Sequence, residues 1–200
     1  MRIIGLTGSI GMGKSTVAGM LRRMRIPVYC ADEAVHALLG PYGVAVNAVA
    51  KLYPAAYHPE TKSIDRTSLG MAVFHDAALM KQLEAILHPL VRLQEKIFLQ
   101  RCSTMRKRLV VLDIPLLFET RAEKRMHRVM VVSAPSFIQR SRVLSRIGMT
   151  TQKFRAILAK QMPDAQKRNR ADVVIPTGLS RAVTFEKIRH FIGKNINPTK

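Results

Sequence analysis

The 200-residue chain has no tryptophan, two cysteines and 13 Asp and Glu against 33 Lys and Arg. Each shortage excludes something. Cys30 and Cys102 lie far apart and form no C-x-x-C pair, so a zinc ribbon and a disulfide framework are both ruled out, and a reducing, cytosolic setting fits best. Aromatic residues make up 6% of the chain, too few for the stacked platforms that single-stranded nucleic acid needs. No run approaches the roughly 20 apolar residues of a membrane span. At the amino end the apolar stretch Ile3 to Leu6 meets Gly8 at once, which is not an export signal. A soluble, cytoplasmic protein with no membrane partner is expected.

What the chain does have is a globular balance, 48% hydrophobic and 23% charged, enough to bury a core despite a net charge of +20. The charge is lopsided. Residues 1 to 100 carry 11 basic and 7 acidic side chains, whereas residues 101 to 200 carry 22 and 6. A basic half invites a nucleic-acid or polyphosphate reading.

Short continuous apolar runs alternate with helix-period segments, the pattern of a parallel α/β sheet covered on both faces. The runs are Arg2 to Thr7, Pro27 to Cys30, Leu109 to Ile114, Val129 to Ser133 and Asp172 to Ile175, and predict five strands. Val17, Met20, Leu21 and Met24 follow the first at helical spacing, as Phe185, Ile188 and Ile192 follow the last. Residues 31–108 show no strand pattern but do show helical stretches. One runs through Leu79, Leu83, Ile86, Leu87 and Leu90, with Asp76 as its N-cap and Pro89 set to restart or kink it. The expected organisation is one domain, with a core of 1–30, 109–146 and 171–200, a helical insertion at 31–108 and a mobile lid at 147–170.

The strongest chemical signal is Gly8-Ser9-Ile10-Gly11-Met12-Gly13-Lys14-Ser15, which matches G-x-x-x-x-G-K-[ST] between a strand and a helix. This is a P-loop. Its glycines let successive N–H groups point at a phosphate, Lys14 supplies charge near the β and γ phosphates, and the Ser15 hydroxyl is placed for Mg²⁺. The guanine-reading Asn-Lys-x-Asp is absent, and Asp113 is followed by Ile-Pro-Leu rather than a GTPase switch.

Three further features carry two readings each. Asp113 ends an apolar run, as a Walker B acid touching Mg²⁺ would, or as a polar residue closing a strand. Asp32 follows the second strand, where ligands of such sheets bind. There it accepts the proton of an attacking hydroxyl, or it caps the helix through Val35 and Leu38. Gln139, Arg142 and Arg146 recur at helical spacing, so one helix face carries both guanidiniums toward phosphates, or simply toward solvent.

Together these residues resemble the dephospho-CoA kinase family. The resemblance spans nearly the whole chain: Ile4 to Thr16, Ala31-Asp32, Ile64-Asp65-Arg66 with Leu69, Val73-Phe74, Leu83-Glu84, His88-Pro89, Asp113 to Glu119, Gln139 with Arg142 and Arg146, and Ala171-Asp172. It implies a P-loop kinase three-layer fold with a five-stranded parallel sheet, a helical region for the CoA moiety and a lid over ATP. The implied reaction transfers the ATP γ-phosphoryl, with Mg²⁺, to the ribose 3′-hydroxyl of dephospho-CoA. The resemblance makes Asp32 the base. It gives the ATP phosphates to Gly11, Met12, Gly13, Lys14, Ser15, Thr16, Arg142 and Arg146, the acceptor side to Arg66 and His88 as well as Asp32, and the metal to Ser15 and Asp113. The chain departs from the family pattern at Cys30, where Asp is usual, at Ser9 and Met12 in the loop, and at Thr177, where Asn is frequent. A kinase for another small hydroxyl acceptor and a nucleic-acid-stimulated ATPase are the competing readings; the first reading includes no specific nucleic-acid partner.

Strand polarity also sorts the charge. Arg106-Lys107-Arg108 and Arg128 precede strands and are expected at the sheet's amino edge, whereas Arg142, Arg146, Lys160, Lys167, Arg168 and Arg170 are expected on the phosphate side.

Overall fold

The computed structural model describes residues 1–196. In chain order the elements are β1 (Arg2–Thr7), α1 (Lys14–Arg23), β2 (Val28–Cys30), α2 (Ala31–Leu39), α3 (Val46–Leu52), β3 (Tyr57–His58), β4 (Ser63–Ile64), α4 (Arg66–His75), α5 (Ala77–Thr104), β5 (Leu109–Asp113), β6 (Arg128–Ser133), α6 (Ser136–Leu144), α7 (Thr151–Ala159), α8 (Asp164–Asn169), β7 (Val173–Pro176) and α9 (Arg181–Ile196). They form two compact units, Met1–Tyr29 with Cys102–Lys200, and Cys30–Arg101.

The first unit is built on a five-stranded sheet in the order β2-β5-β1-β6-β7. Its pairings β1–β5, β1–β6 and β6–β7 are parallel, with Arg2 opposite Leu109 and Leu6 opposite Asp113. Beside β5, the Val111 amide donates to the Pro27 carbonyl at 2.9 Å. All five sequence-predicted strands are present, shifted by at most a residue at their ends.

Alternation along β6 shows why its sequence is continuously apolar. Met130 and Val132 join Ile4, Leu6, Val17, Leu21, Ile188 and Ile192 in one core, under α1 and α9. Val129 and Val131 face the other way and pack with Leu117, Phe118 and Ala122. A strand covered on both faces has no position left for a polar side chain.

The second unit has its own core, in which Leu38 and Leu39 of α2, Val46 and Val49 of α3, Leu69 of α4, and Leu83 and Leu87 of α5 meet Ile64. Two expectations change here. The interval contains a small antiparallel pair, Tyr57 opposite Ile64 and His58 opposite Ser63, too short to leave an alternating pattern. α5 also runs through Pro89 as one 28-residue helix without restarting. Pro89 and Ala85 both lie on its exposed face, so water can satisfy the carbonyl that proline deprives of a donor, while Leu83 and Leu87 hold the buried face in place. Asp76 does start this helix, its Oδ1 accepting from the amides of Ala78 and Leu79, each at 2.9 Å.

Candidate active site

The loop after β1 takes the shape its glycines permit. Gly11 and Gly13 have φ of 78° and 85°, the left-handed region that a Cβ disfavours. A Cβ on Gly11 would stand 2.5 Å from Val143 Cγ2, so this position is closed to any side chain by space as well as by strain. The second of these residues is the N-cap of α1. Helix α1 thus begins at Lys14, with the Ser15 and Thr16 hydroxyls exposed in its first turn. The first amides and the positive end of the helix dipole converge there, which suits a phosphate.

Lys14 and Asp113, 99 positions apart in sequence, meet at the carboxyl ends of neighbouring strands. Lys14 Nζ lies 2.6 Å from Asp113 Oδ1, and the Asp113 carboxyl side chain is 3% exposed. Asp113 is the last residue of β5 and is paired with Leu6, near the end of β1.

The loop is also held from outside. Ile10 donates its amide to Gln161 Oε1 at 3.0 Å and accepts at its carbonyl from Gln139 Nε2 at 2.8 Å. Met12 accepts at its carbonyl from Thr177 Oγ1 at 2.6 Å, and its sulfur accepts from the Ala134 amide at 3.1 Å. The Thr177 carbonyl in turn accepts from Arg142 Nη2 at 2.7 Å, which leaves the exposed Arg142 oriented by the segment after β7.

Arg142 and Arg146 do not share a helix face. α6 ends at Leu144, and Arg146 lies two residues beyond it, its amide donating to the Val143 carbonyl in a tighter turn. Among the basic residues of 147–170, Lys167 is fully enclosed and Arg170 is engaged. Lys167 Nζ pairs with Glu119 Oε1 at 2.8 Å and approaches the Pro115 carbonyl at 3.5 Å. Arg170 pairs with Glu123 at 2.9 Å and lies over the Phe118 ring, with Cζ 4.8 Å from its centroid. Neither is presented to a ligand as expected; Lys160 and Arg168 are exposed. At the amino edge, Arg106, Lys107 and Arg108 are exposed as expected, and Arg128 pairs with Asp172 at 2.7 Å.

Glu119 carries the clearest electrostatic signature. Burial pushes its carboxyl up, but hydrogen bonds from Lys167, from the Met162 amide and from its own amide outweigh this, and with the Lys167 charge they hold it below its ordinary value.

The remaining sequence-predicted residues belong to the second unit. Asp32 is exposed in the first turn of α2, whose N-cap is Cys30, so it is a residue of the helix and not its cap. Arg66 opens α4 and His88 lies on α5, both exposed; Asp65 caps α4 by accepting from the Thr67 amide. Sequence gives no function to Gln161, Thr177 or Glu119, and it directs Lys167 toward phosphates rather than toward Glu119. Gln161 had no signal there, because its partner is 151 positions away.

The donor set fits a magnesium ion. No group of three His, Cys, Asp or Glu side chains able to cage a cation exists among the described residues. One hydroxyl, Ser15, and one carboxylate, Asp113, lie at the phosphate loop, which is what an ion held mainly by phosphates and water requires.

Known proteins resemble this chain in sequence and in fold. The CoaE family profile, described as dephospho-CoA kinase, matches residues 2–180. The dephospho-CoA kinase of Paramagnetospirillum magneticum is 59% identical over 168 residues, covering 84% of this chain and 78% of that one. That of Rhodospirillum rubrum is 52% identical over 187 residues, 94% of this chain and 88% of the relative. Among solved structures, a Thermus thermophilus protein superposes with a TM-score of 0.83 at 34% identity, covering 98% of both chains. Dephospho-CoA kinase from Campylobacter jejuni gives 0.72 at 25% identity over 97% of both.

Proposed function

The chain belongs to the dephospho-CoA kinase family, and from that membership we propose how its residues divide the work. The reaction transfers the γ-phosphoryl group of ATP to the ribose 3′-hydroxyl of dephospho-CoA, giving coenzyme A and ADP, the last step of coenzyme A biosynthesis. The observation that carries the assignment is the Lys14–Asp113 pair beside the loop of left-handed glycines.

The amides from Gly11 to Thr16 hold the triphosphate, and Lys14 turns from Asp113 to the β and γ phosphates as they enter. Arg142, steadied by the Thr177 carbonyl, neutralises charge on the transferring group, with Arg146 nearby. Ser15 and Asp113 would hold Mg²⁺, and an ion there would supply positive charge to offset that of the phosphates. Asp32 follows the carboxyl end of β2 by two residues, and its exposed carboxylate orients the 3′-hydroxyl and takes its proton as the oxygen attacks phosphorus. Arg66 and His88 of the insertion at 31–108 contribute to the acceptor side. The segment at 147–170 closes over ATP and keeps water, a competing acceptor, away.

The reading places the enzyme in the cytoplasm. No helix among the described residues is long and apolar enough to cross a membrane. It includes no nucleic-acid partner, so ATP turnover stays constant when DNA or RNA is added.

One assay over a panel of hydroxyl acceptors tests it. Dephospho-CoA with Mg·ATP is expected to yield ADP and coenzyme A, and chelation of the metal to stop turnover. No ADP from dephospho-CoA, with brisk ADP from a nucleoside monophosphate, would overturn the substrate.

A further inference from the structure

Ile10 is the outer residue of the phosphate loop, and two side chains distant in sequence hold both halves of its backbone. Gln139, on α6 and buried, donates to its carbonyl at 2.8 Å, and Gln161, in the connection between α7 and α8, accepts from its amide at 3.0 Å. The connection is itself anchored one residue further on. There the Met162 amide donates to Glu119 Oε1 at 2.7 Å, and the same oxygen pairs with the enclosed Lys167 of α8. The Gln161 side chain therefore reaches the loop from a fixed point.

A glutamine that merely stabilised α7 and α8 would spend its carboxamide oxygen on that segment. This one spends it on an amide of the loop. We propose that Gln161 is a positioning residue for ATP: it fixes the Ile10 limb so that the amides from Gly11 onward are aligned before the triphosphate arrives, and it couples the loop to α7 and α8. Because coupling between two sites is reciprocal, ATP must also tighten the hold of the loop on α7 and α8. The inference rests on the reading of this loop as the ATP site.

The test uses Gln161→Met, which keeps length and removes the acceptor, with Lys14→Ala as the control for the site itself. ATP affinity of the full chain is measured by calorimetry, the KM for dephospho-CoA by steady-state kinetics, and thermal stability in parallel. Gln161→Met is expected to weaken ATP binding by roughly five- to tenfold, the worth of one hydrogen bond, with the dephospho-CoA KM near wild type and the melting temperature lowered by no more than about 4 °C. Gln139→Leu combined with Gln161→Met should lose less than the product of the single effects, since both act on the backbone of the same residue, Ile10. Unchanged ATP affinity in Gln161→Met, with a clear loss in Lys14→Ala, would overturn the positioning role and leave the site standing. Normal affinity in Lys14→Ala would overturn both. In the unmodified protein, amide exchange over residues 151–169 should slow when ATP binds; no change there would sink the coupling whatever the variants do.

Discussion

The Thr177 hydroxyl lies 2.6 Å from the Met12 carbonyl oxygen, so the residue just after β7 ties down the middle of the loop that follows β1. The same threonine offers its carbonyl to Arg142 at 2.7 Å and is buried. One residue thus sets both the curvature of the loop and the aim of a guanidinium.

Thr177→Val keeps the shape and removes the hydroxyl. The Met12 carbonyl then loses its donor at a buried position, at a cost of about 1–2 kcal/mol. Chemical denaturation should show that loss, and the KM for ATP should rise because the loop is less firmly held.

Lys14→Met should lower turnover by a factor on the order of 10²–10³, as expected for a group that stabilises transferring charge. It also takes the lysine partner from the buried Asp113 carboxylate, which costs about 3 kcal/mol. The double variant Lys14→Met/Asp113→Leu should regain stability while staying inactive, separating the structural part of the pair from the chemical part.

Asp32 stands exposed in the first turn of α2, so its amide variant has little structural consequence. Asp32→Asn should reduce kcat by about 10²–10⁴-fold, the usual worth of a general base, with ATP affinity measured by calorimetry unchanged. Near-normal turnover would reduce the side chain to a favourable charge at a helix start.

The Glu119 carboxyl is held below its ordinary value in the fold, so the unfolded chain binds more protons on acidification. Its contribution to stability is present above the unfolded value near about 4.3 and is lost as pH falls through the lower, folded value. Melting temperature should therefore drop below about pH 4.3, and Glu119→Gln should flatten that part of the curve. Lys167→Met, which leaves the carboxylate without its buried partner, should cost about 3–5 kcal/mol at neutral pH.

Sequence alone carried the sheet and the loop because both are written locally. Five apolar runs and eight contiguous residues declare them with no reference to the rest of the chain. The β3–β4 pair left no trace, since two residues per strand cannot establish a period. Pro89 misled because proline interrupts a helix by removing one hydrogen bond, and whether that matters depends on which face it occupies, a tertiary fact.

Lys167 and Arg170 misled for a related reason. Composition shows charge but not its partners, and the acids that neutralise Lys167 and Arg170 lie 48 and 47 positions earlier, in the connection between β5 and β6. Gln139 was visible as part of a helical stripe, yet the stripe suggested phosphates, whereas the side chain grips the backbone of the phosphate loop. Long-range contacts between single polar residues have no sequence period, which is why the supports of the site were less legible than the site.

The Lys167 ammonium is wholly enclosed, and an enclosed amine cannot be acylated until solvent reaches it. Among so many exposed lysines and arginines it is a silent one, and its silence can be timed. The slow modification of this single amine by a water-soluble acylating reagent counts how often α8 lifts away from Glu119. The enzyme therefore carries its own clock for local opening, readable by mass spectrometry without a mutation.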